Sequence, residues 1–271
     1  MRLTVVGCSG SLPGPRSAAS CYLVEHDGFA LVLDLGSGAL GPLQQHLRPV
    51  DVGAVLITHL HADHCLDLCG LYVLLKYMPG ARPGVPVRAT PVPVHGPAGT
   101  ASRIAAAYGV STGELAGVLE FHDVTPGTFT VGPFEVTAVP ALHPVRAHAL
   151  RVSAAGRSIV YTGDTAPCDA VTGLAAGADV LLAEASFTTA VATNPAGLHM
   201  TALEAGELAR KAGVGRLVVT HVPPWYEPAD AAAEAARAYD GPVVAAEPGL
   251  VLELGAADVG RRGAGPVPAA G

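Results

Sequence analysis

The chain alternates short apolar runs with turns, and the period of the runs changes along it. Near the start, residues 3–6, 21–25 and 30–35 read as strands, the last two joined by a hairpin turn at His26-Asp27-Gly28. Residues 40–47 suit a short helix, and the β-branched run at 52–57 another strand. Leu66, Leu68, Leu71, Val73, Leu74 and Leu75 then fall at the spacing of a mostly buried helix that ends near Met78. A proline-rich stretch, 79–97, contains a short strand at 92–95 and gives way to a helix over 99–108. Strands return at 121–124, 128–131 and 134–142, followed by a hairpin of 147–153 and 158–162 turning at Ala154-Ala155-Gly156. The last third changes character: helices over 169–176, 201–212 and 229–239 alternate with strands at 180–183, 217–220 and 243–246, and a strand at 250–254 closes the pattern. Thr201 and Glu204 have capping-box spacing, so the second of these helices starts firmly just after His199. No linker interrupts the sequence, which predicts one domain over 1–254 and, beyond it, an aperiodic and mobile tail over 255–271.

Composition narrows the classes. With 271 residues, 50% of them hydrophobic, the chain can bury a substantial core. Its 33 glycines and 23 prolines are spread between periodic segments, which marks tight turns rather than disorder. A net charge of −7 argues against a broad basic surface for nucleic acid but permits a small anionic substrate. The five cysteines, Cys8, Cys21, Cys65, Cys69 and Cys168, have no metal-finger spacing and are odd in number, so they read as reduced and mostly buried in a cytoplasmic protein. The start, MRLTVVGCSG, is too glycine-rich for a signal segment, and no apolar stretch approaches the ~20 residues of a membrane span.

Chemistry is concentrated at residues 58–64, THLHADH. His59, His61, Asp63 and His64 lie directly after a predicted strand, and imidazole nitrogen with carboxylate oxygen suits zinc and its first-row neighbours. A turn there puts His59 and His61 on one side and a helix start carries Asp63 and His64 to another, so one loop can hold two metal ions. Three more ligand-type residues, His143, Asp164 and His221, also close predicted strands, and strand ends along one edge of a sheet are where open sheets build sites. His148 competes with His143, but it opens a strand rather than ending one. Cys65 follows His64 yet reads as core, and His26, His46, His95 and His122 read as solvated. The loop 7–20, with Arg16, reads either as a connector or as a wall of the site. Trp225 and Tyr226, just after His221, read either as a nucleobase platform or as a loop anchor.

These motifs resemble those of the metallo-β-lactamase fold hydrolases. THLHADH matches that family's His-x-His-x-Asp-His motif, and His143, Asp164 and His221 follow in the family's order. The resemblance covers residues 2–254 and implies an α+β fold, a four-layer αββα sandwich, with two divalent ions: one held by His59, His61 and His143, a second by Asp63, His64 and His221, and Asp164 bridging both. Zinc is the first expectation for the ions, with manganese and iron also accepting these ligands. Within the family, VVGCSGSLPGP, VHGPAG and HMTALEAGELARKAGVGRLVVTH are similar to the ribonuclease Z-like phosphodiesterase branch. The chain departs from ribonuclease Z in lacking the long arm that grips tRNA: only one hairpin separates His143 from Asp164, and the only lysines are Lys76 and Lys211. It is more similar to the compact actinobacterial-type members that cleave cyclic nucleotides. The expectation is therefore a phosphodiesterase on a small nucleotide, foremost 3′,5′-cyclic AMP, using hydroxide made at the metals, with Asp63 orienting it and His199 donating a proton. A tRNA 3′ endonuclease is the alternative, and a thioester or lactone hydrolase a third. The resemblance also suggests a homodimer.

Overall fold

The computed structural model describes residues 1–78, 90–190 and 195–255. The expected tail past Gly255, and the part of the proline-rich stretch at 79–89, lie outside these described residues.

The first half builds one sheet and its helices. Strands β1 (Arg2–Gly7), β2 (Cys21–His26) and β3 (Phe29–Leu33) form antiparallel neighbours, with the turn at Asp27-Gly28 taking the positive φ that the β2–β3 hairpin requires. After α1 (Leu40–Leu43), β4 (Val52–Leu56) adds in parallel to β3. Helices α2 (Ala62–Cys65) and α3 (Leu68–Tyr77) follow, then β5 (Val92–Gly96), α4 (Thr100–Tyr108), α5 (Thr112–Ala116) and β6 (Leu119–Asp123), with β5 and β6 extending the parallel side.

The second half repeats the plan. An antiparallel run, β7 (Gly127–Val131), β8 (Phe134–Pro140), β9 (His148–Ala154) and β10 (Arg157–Tyr161), is continued in parallel by β11 (Val180–Glu184), β12 (Leu217–Thr220) and β13 (Val243–Ala245), with α6 (Asp169–Leu174), α7 (Ala202–Ala212) and α8 (Pro228–Ala235) between them. The last strand, β14 (Val251–Glu253), returns to pair with β1, giving sheet orders β14-β1-β2-β3-β4-β5-β6 and β13-β12-β11-β10-β9-β8-β7.

Alternation along the strands makes the layers. Leu31, Leu33, Leu56, Phe134, Val136, Val152, Leu182 and Val218 face inward and form the core between the sheets. Their neighbours Val32, Val55 and Ile57 face α3 and α4 with Leu71, Leu75 and Ile104, and Leu181, Ala183 and Val219 face α6, α7 and α8 with Val171, Leu208 and Ala235. Helix, sheet, sheet, helix is the expected αββα sandwich. Among the described residues no helix is long and apolar enough to cross a membrane.

Three elements differ from the sequence reading. The helix expected over 40–47 keeps α-form only to Leu43 and finishes in turns in which Gln45 and His46 bond three residues back. The helix expected from Leu66 is split from the metal-motif turn at Asp67, whose carboxylate accepts from the Leu40 backbone while its own N–H donates to Leu35. Helix α5 was not anticipated, although Ser111 and Glu114 have the capping-box spacing also read at Thr201, and both boxes close reciprocally.

Candidate metal centre

The strand ends deliver the site. β4 runs into Thr58 and His59, α2 presents Asp63 and His64, the loop after β8 carries His143, the turn after β10 carries Asp164, and His221 directly follows β12. The ligand atoms of His59, His61, His143 and Asp164 lie within 4.8 Å of one another, as do those of Asp63, His64, Asp164 and His221. Asp164 belongs to both sets, and all seven residues named from the sequence come together. His148 is in neither set; it is buried at the start of β9, where its N–H donates to the Thr58 carbonyl. Cys65 packs in the outer core with its thiol on the His61 carbonyl.

Four of the five ligand imidazoles are fixed by a partner on the outer side, which decides where the lone pair points. His64 Nδ1–H donates to Asp34 at 2.7 Å and His143 Nδ1–H to the Leu198 carbonyl at 2.9 Å. Thr58 Oγ1 donates to Asp34 and so accepts from His59 Nδ1–H at 3.1 Å. Ser186 Oγ donates to Glu184 and so accepts from His221 Nδ1–H at 2.9 Å. The inner Nε2 atoms are left as bare acceptors facing one another, His64 Nε2 to His221 Nε2 at 3.2 Å and His59 Nε2 to His61 Nδ1 at 3.0 Å. Acceptors crowded so closely need a cation between them. Asp164 Oδ1 is buried without a hydrogen-bond partner, as a metal ligand would be before its ion is placed. The residues present therefore fit metal ions.

Electrostatics point the same way. Burial and the nearby His64 keep His59 well below the ordinary histidine range. Burial opposes charge on His64 too, but the Asp164 and Asp34 carboxylates prevail and hold its pKa well above that range. Burial raises Asp164 while His221 and His64 lower it more strongly, so it stays ionised. Positive charge is thus favoured between Asp164, Asp34 and His64.

Two functional carboxylates escaped the sequence reading. Asp34, fully buried with φ +54, accepts from Thr58 N–H, Thr58 Oγ1, His64 Nδ1 and Tyr161 OH. Glu184, equally buried, accepts from His199 Nδ1 at 2.9 Å, Thr165 N–H and Ser186 Oγ. Both had the signal that identified Asp164: a carboxylate at the end of an apolar strand. His199 stands beside the ligands, its ring 5.4 Å from that of His143 and 5.6 Å from that of His221. Burial lowers its pKa, but the Glu184 hydrogen bond and charge outweigh burial and raise it.

The remaining candidates lie further out. Arg16 is exposed and tied to both carboxylate oxygens of Glu227, at 3.1 and 3.0 Å. Tyr226 packs against the outer core of the second half, whereas Trp225 is 63% exposed, so the anchor reading holds for the tyrosine and not for the tryptophan. Of the histidines read as solvated, His46 and His122 are exposed; His95 is half-buried, stacked between His122 and Phe129 where the sheets meet at an edge.

Known proteins resemble this chain in sequence and fold. The β-lactamase superfamily domain pattern matches residues 31–222. An uncharacterized protein of Mycobacterium tuberculosis is 42% identical over 90% of this chain and 88% of its own length. A ribonuclease Z of Mycobacterium bovis is 31% identical over 83% of this chain and 86% of its own. The probable metallo-hydrolase YhfI of Bacillus subtilis is 31% identical over 93% of this chain and the whole of its own, and its crystal structure superposes with a TM-score of 0.82 at 27% identity, covering 93% of this chain and 98% of that one. With the domain pattern matched over residues 31–222 and a 31% identical metallo-hydrolase matched over 93% of this chain, the chain belongs to the metallo-β-lactamase family of metal-dependent hydrolases.

Proposed function

We propose that the chain is a phosphodiesterase that holds two divalent ions and hydrolyses a small nucleotide, foremost 3′,5′-cyclic AMP. The observation that carries this reading is the pair of adjoining ligand sets sharing Asp164, with His199 placed beside both. When bound, two such ions polarise a phosphoryl oxygen and bring the pKa of water into the neutral range. His59, His61 and His143 would hold one ion and Asp63, His64 and His221 the other, with Asp164 within reach of both sets, and Asp63 would also orient the attacking water. Zinc, manganese and iron all suit this donor set.

His199 supplies the proton. Glu184 accepts the Nδ1–H and orients the ring, and its carboxylate raises the pKa above the ordinary histidine range, which favours the protonated imidazole that a proton donor needs. Its Nε2 proton passes to the ribose oxygen as the phosphorus–oxygen bond to that oxygen breaks and the water oxygen bonds to phosphorus.

The small substrate is favoured over tRNA because the segment between His143 and Asp164 is only the β9–β10 hairpin, with no arm to grip a folded RNA. Trp225, exposed four residues after His221, offers a stacking face for the nucleobase. Arg16, occupied by Glu227, contributes to a substrate phosphate only by leaving that partner.

The purified protein should be offered cyclic AMP, a 3′-extended tRNA and a thioester, each with and without a chelator. Chelator-sensitive cleavage of cyclic AMP is expected; cleavage of the tRNA alone would replace this reading with a tRNA 3′ endonuclease. Trp225→Ala should raise KM about fivefold, by about 1 kcal/mol of stacking, with kcat and fold retained.

A further inference from the structure

The glycine-rich turn after β1 carries a group that the ligand sets do not use. In the turn over 9–12, three backbone N–H groups are satisfied within the main chain: Ser9 donates to the Ala18 carbonyl, Gly10 to Val222 and Leu12 to Gly10. The fourth, Ser11 N–H, points at His221 Nε2 from 3.4 Å. That nitrogen is the one whose lone pair faces the second ligand set, because Nδ1 is committed to Ser186. A lone pair given to a metal cannot also accept a hydrogen bond, so Ser11 N–H is a donor aimed at the edge of the centre, with its acceptor still to come.

The turn is built to hold that aim. Leu12 N–H bonds to the Gly10 carbonyl across Ser11, whose φ is +63, the strained sense of a γ-turn. Ser9 Oγ fastens the Leu12 carbonyl at 2.7 Å. Gly10 lies flush on His221: a Cβ there would stand 2.2 Å from the His221 carbonyl oxygen, so only glycine allows the approach. His221 itself has φ +56. Of the five non-glycine residues with positive φ among the described residues, Asp27 and Ala155 sit in hairpin turns, while Ser11, Asp34 and His221 surround the ligand sets. Strain concentrated in this way marks preorganisation.

We propose that the Ser11 backbone N–H is the donor that receives a phosphoryl oxygen of the substrate at the second ligand set, making the turn a one-amide oxyanion site. The assignment rests on the phosphodiesterase reading above. Ser11 itself is exposed and its N–H lies at the partly buried rim of the centre, and a main-chain dipole already held in place costs no reorganisation when negative charge arrives. The ligand class is a tetrahedral phosphoryl oxyanion, in a monoester or diester.

Inorganic phosphate is the probe. In the metal-loaded protein labelled with 15N-serine, the Ser11 amide proton should move downfield as phosphate is added, in step with binding measured by calorimetry. An unshifted Ser11 resonance at phosphate saturation overturns the assignment. In a second experiment an ester replaces the Gly10–Ser11 amide in the full chain, made by ligating synthetic residues 1–20 to the remainder at Cys21. Metal content should match that of an all-amide chain assembled in the same way, and phosphate affinity should fall about tenfold. Equal affinity overturns the assignment; should the ester chain fail to fold or load, the amide shift in the native chain decides alone. Cleavage of cyclic AMP with an unshifted amide removes only the role of Ser11, whereas absence of both phosphate binding and cleavage removes the phosphodiesterase reading and this one together.

Discussion

The two ligand sets differ in what surrounds them. In the first, His59 is buried but His61 and His143 are half-exposed; in the second, Asp63, His64 and His221 are all buried, and Asp164, buried too, serves both. The outer partners differ as well. His143 is steadied by a loop carbonyl, Leu198, while His64 and His221 are steadied by Asp34 and by the Ser186–Glu184 pair, all of them buried. One side of the centre is therefore open to exchange with solvent and the other is set into the core. Similar ligand types thus lie in two different surroundings, and from these supports an ion in the first set is expected to exchange more readily than one in the second.

Asp164 is the sharpest test, since it alone is common to both sets. Asp164→Asn should empty both positions in metal analysis and lower turnover by more than about 10³-fold, because the ions supply both the nucleophile and the charge stabilisation. Loss of one ion with the other retained would break the picture of a shared ligand.

Asp34→Ala should act most on the second, more retentive set, where Asp34 holds His64 directly, and on the first set only through Thr58. Removing its carboxylate strands the Thr58, His64 and Tyr161 donors in the core, at a cost of about 3 kcal/mol in stability, and metal affinity should weaken by about 10–100-fold. Denaturant unfolding and a metal titration measure the two effects, and the buried set should lose its ion first. An unchanged titration would mean that the support of His64 does not set affinity.

His199→Ala should leave both ions in place and lower kcat by about 10²-fold, so that activity and metal content separate. Turnover equal to that of the unaltered protein would take His199 out of the reaction.

The smallest effect contrasts His64 with a histidine whose one nearby carboxylate, Glu120, is outweighed by burial and a neighbouring imidazole. His95 is stacked on His122; burial first, and then the His122 charge, lower it from 6.5 to about 4. Its folded pKa lies below its unfolded one, so the unfolded chain binds more protons between these values. The resulting stability is complete above pH 6.5 and is lost as pH falls towards about 4, a change of about 1 kcal/mol after allowing for the part exposure of the ring. Acid titration of unfolding should show this component, and His95→Gln should remove it.

Much of this was legible because ligand chemistry and strand periodicity coincide in the sequence. His59, His143, Asp164 and His221 stand out as polar residues ending apolar runs, and helix α7 is announced by its capping-box spacing, whereas the division of ligands between two sets and the layer order were implied by the resemblance to the metallo-β-lactamase fold. Asp34 and Glu184 end apolar runs as well, but unlike Asp164 they have no place in the order of ligands that the family motif implies; only folding brings Asp34 to His64 and Glu184 to His199. The role of Ser11 was illegible for a different reason. What acts there is a main-chain N–H, which every residue except proline has, and its direction depends on a turn clamped to a strand end more than two hundred residues away.

Because residues 59–64 follow a strand of one sheet and His143, Asp164 and His221 follow strands of the other, neither half of the chain holds a complete ligand set of its own. Metal affinity is therefore created by the docking of the two halves, and by linkage the docking is strengthened whenever metal is abundant. The melting temperature of the protein should consequently rise with the logarithm of free metal concentration, so that metal supply decides how long each molecule stays folded as well as how fast it turns over.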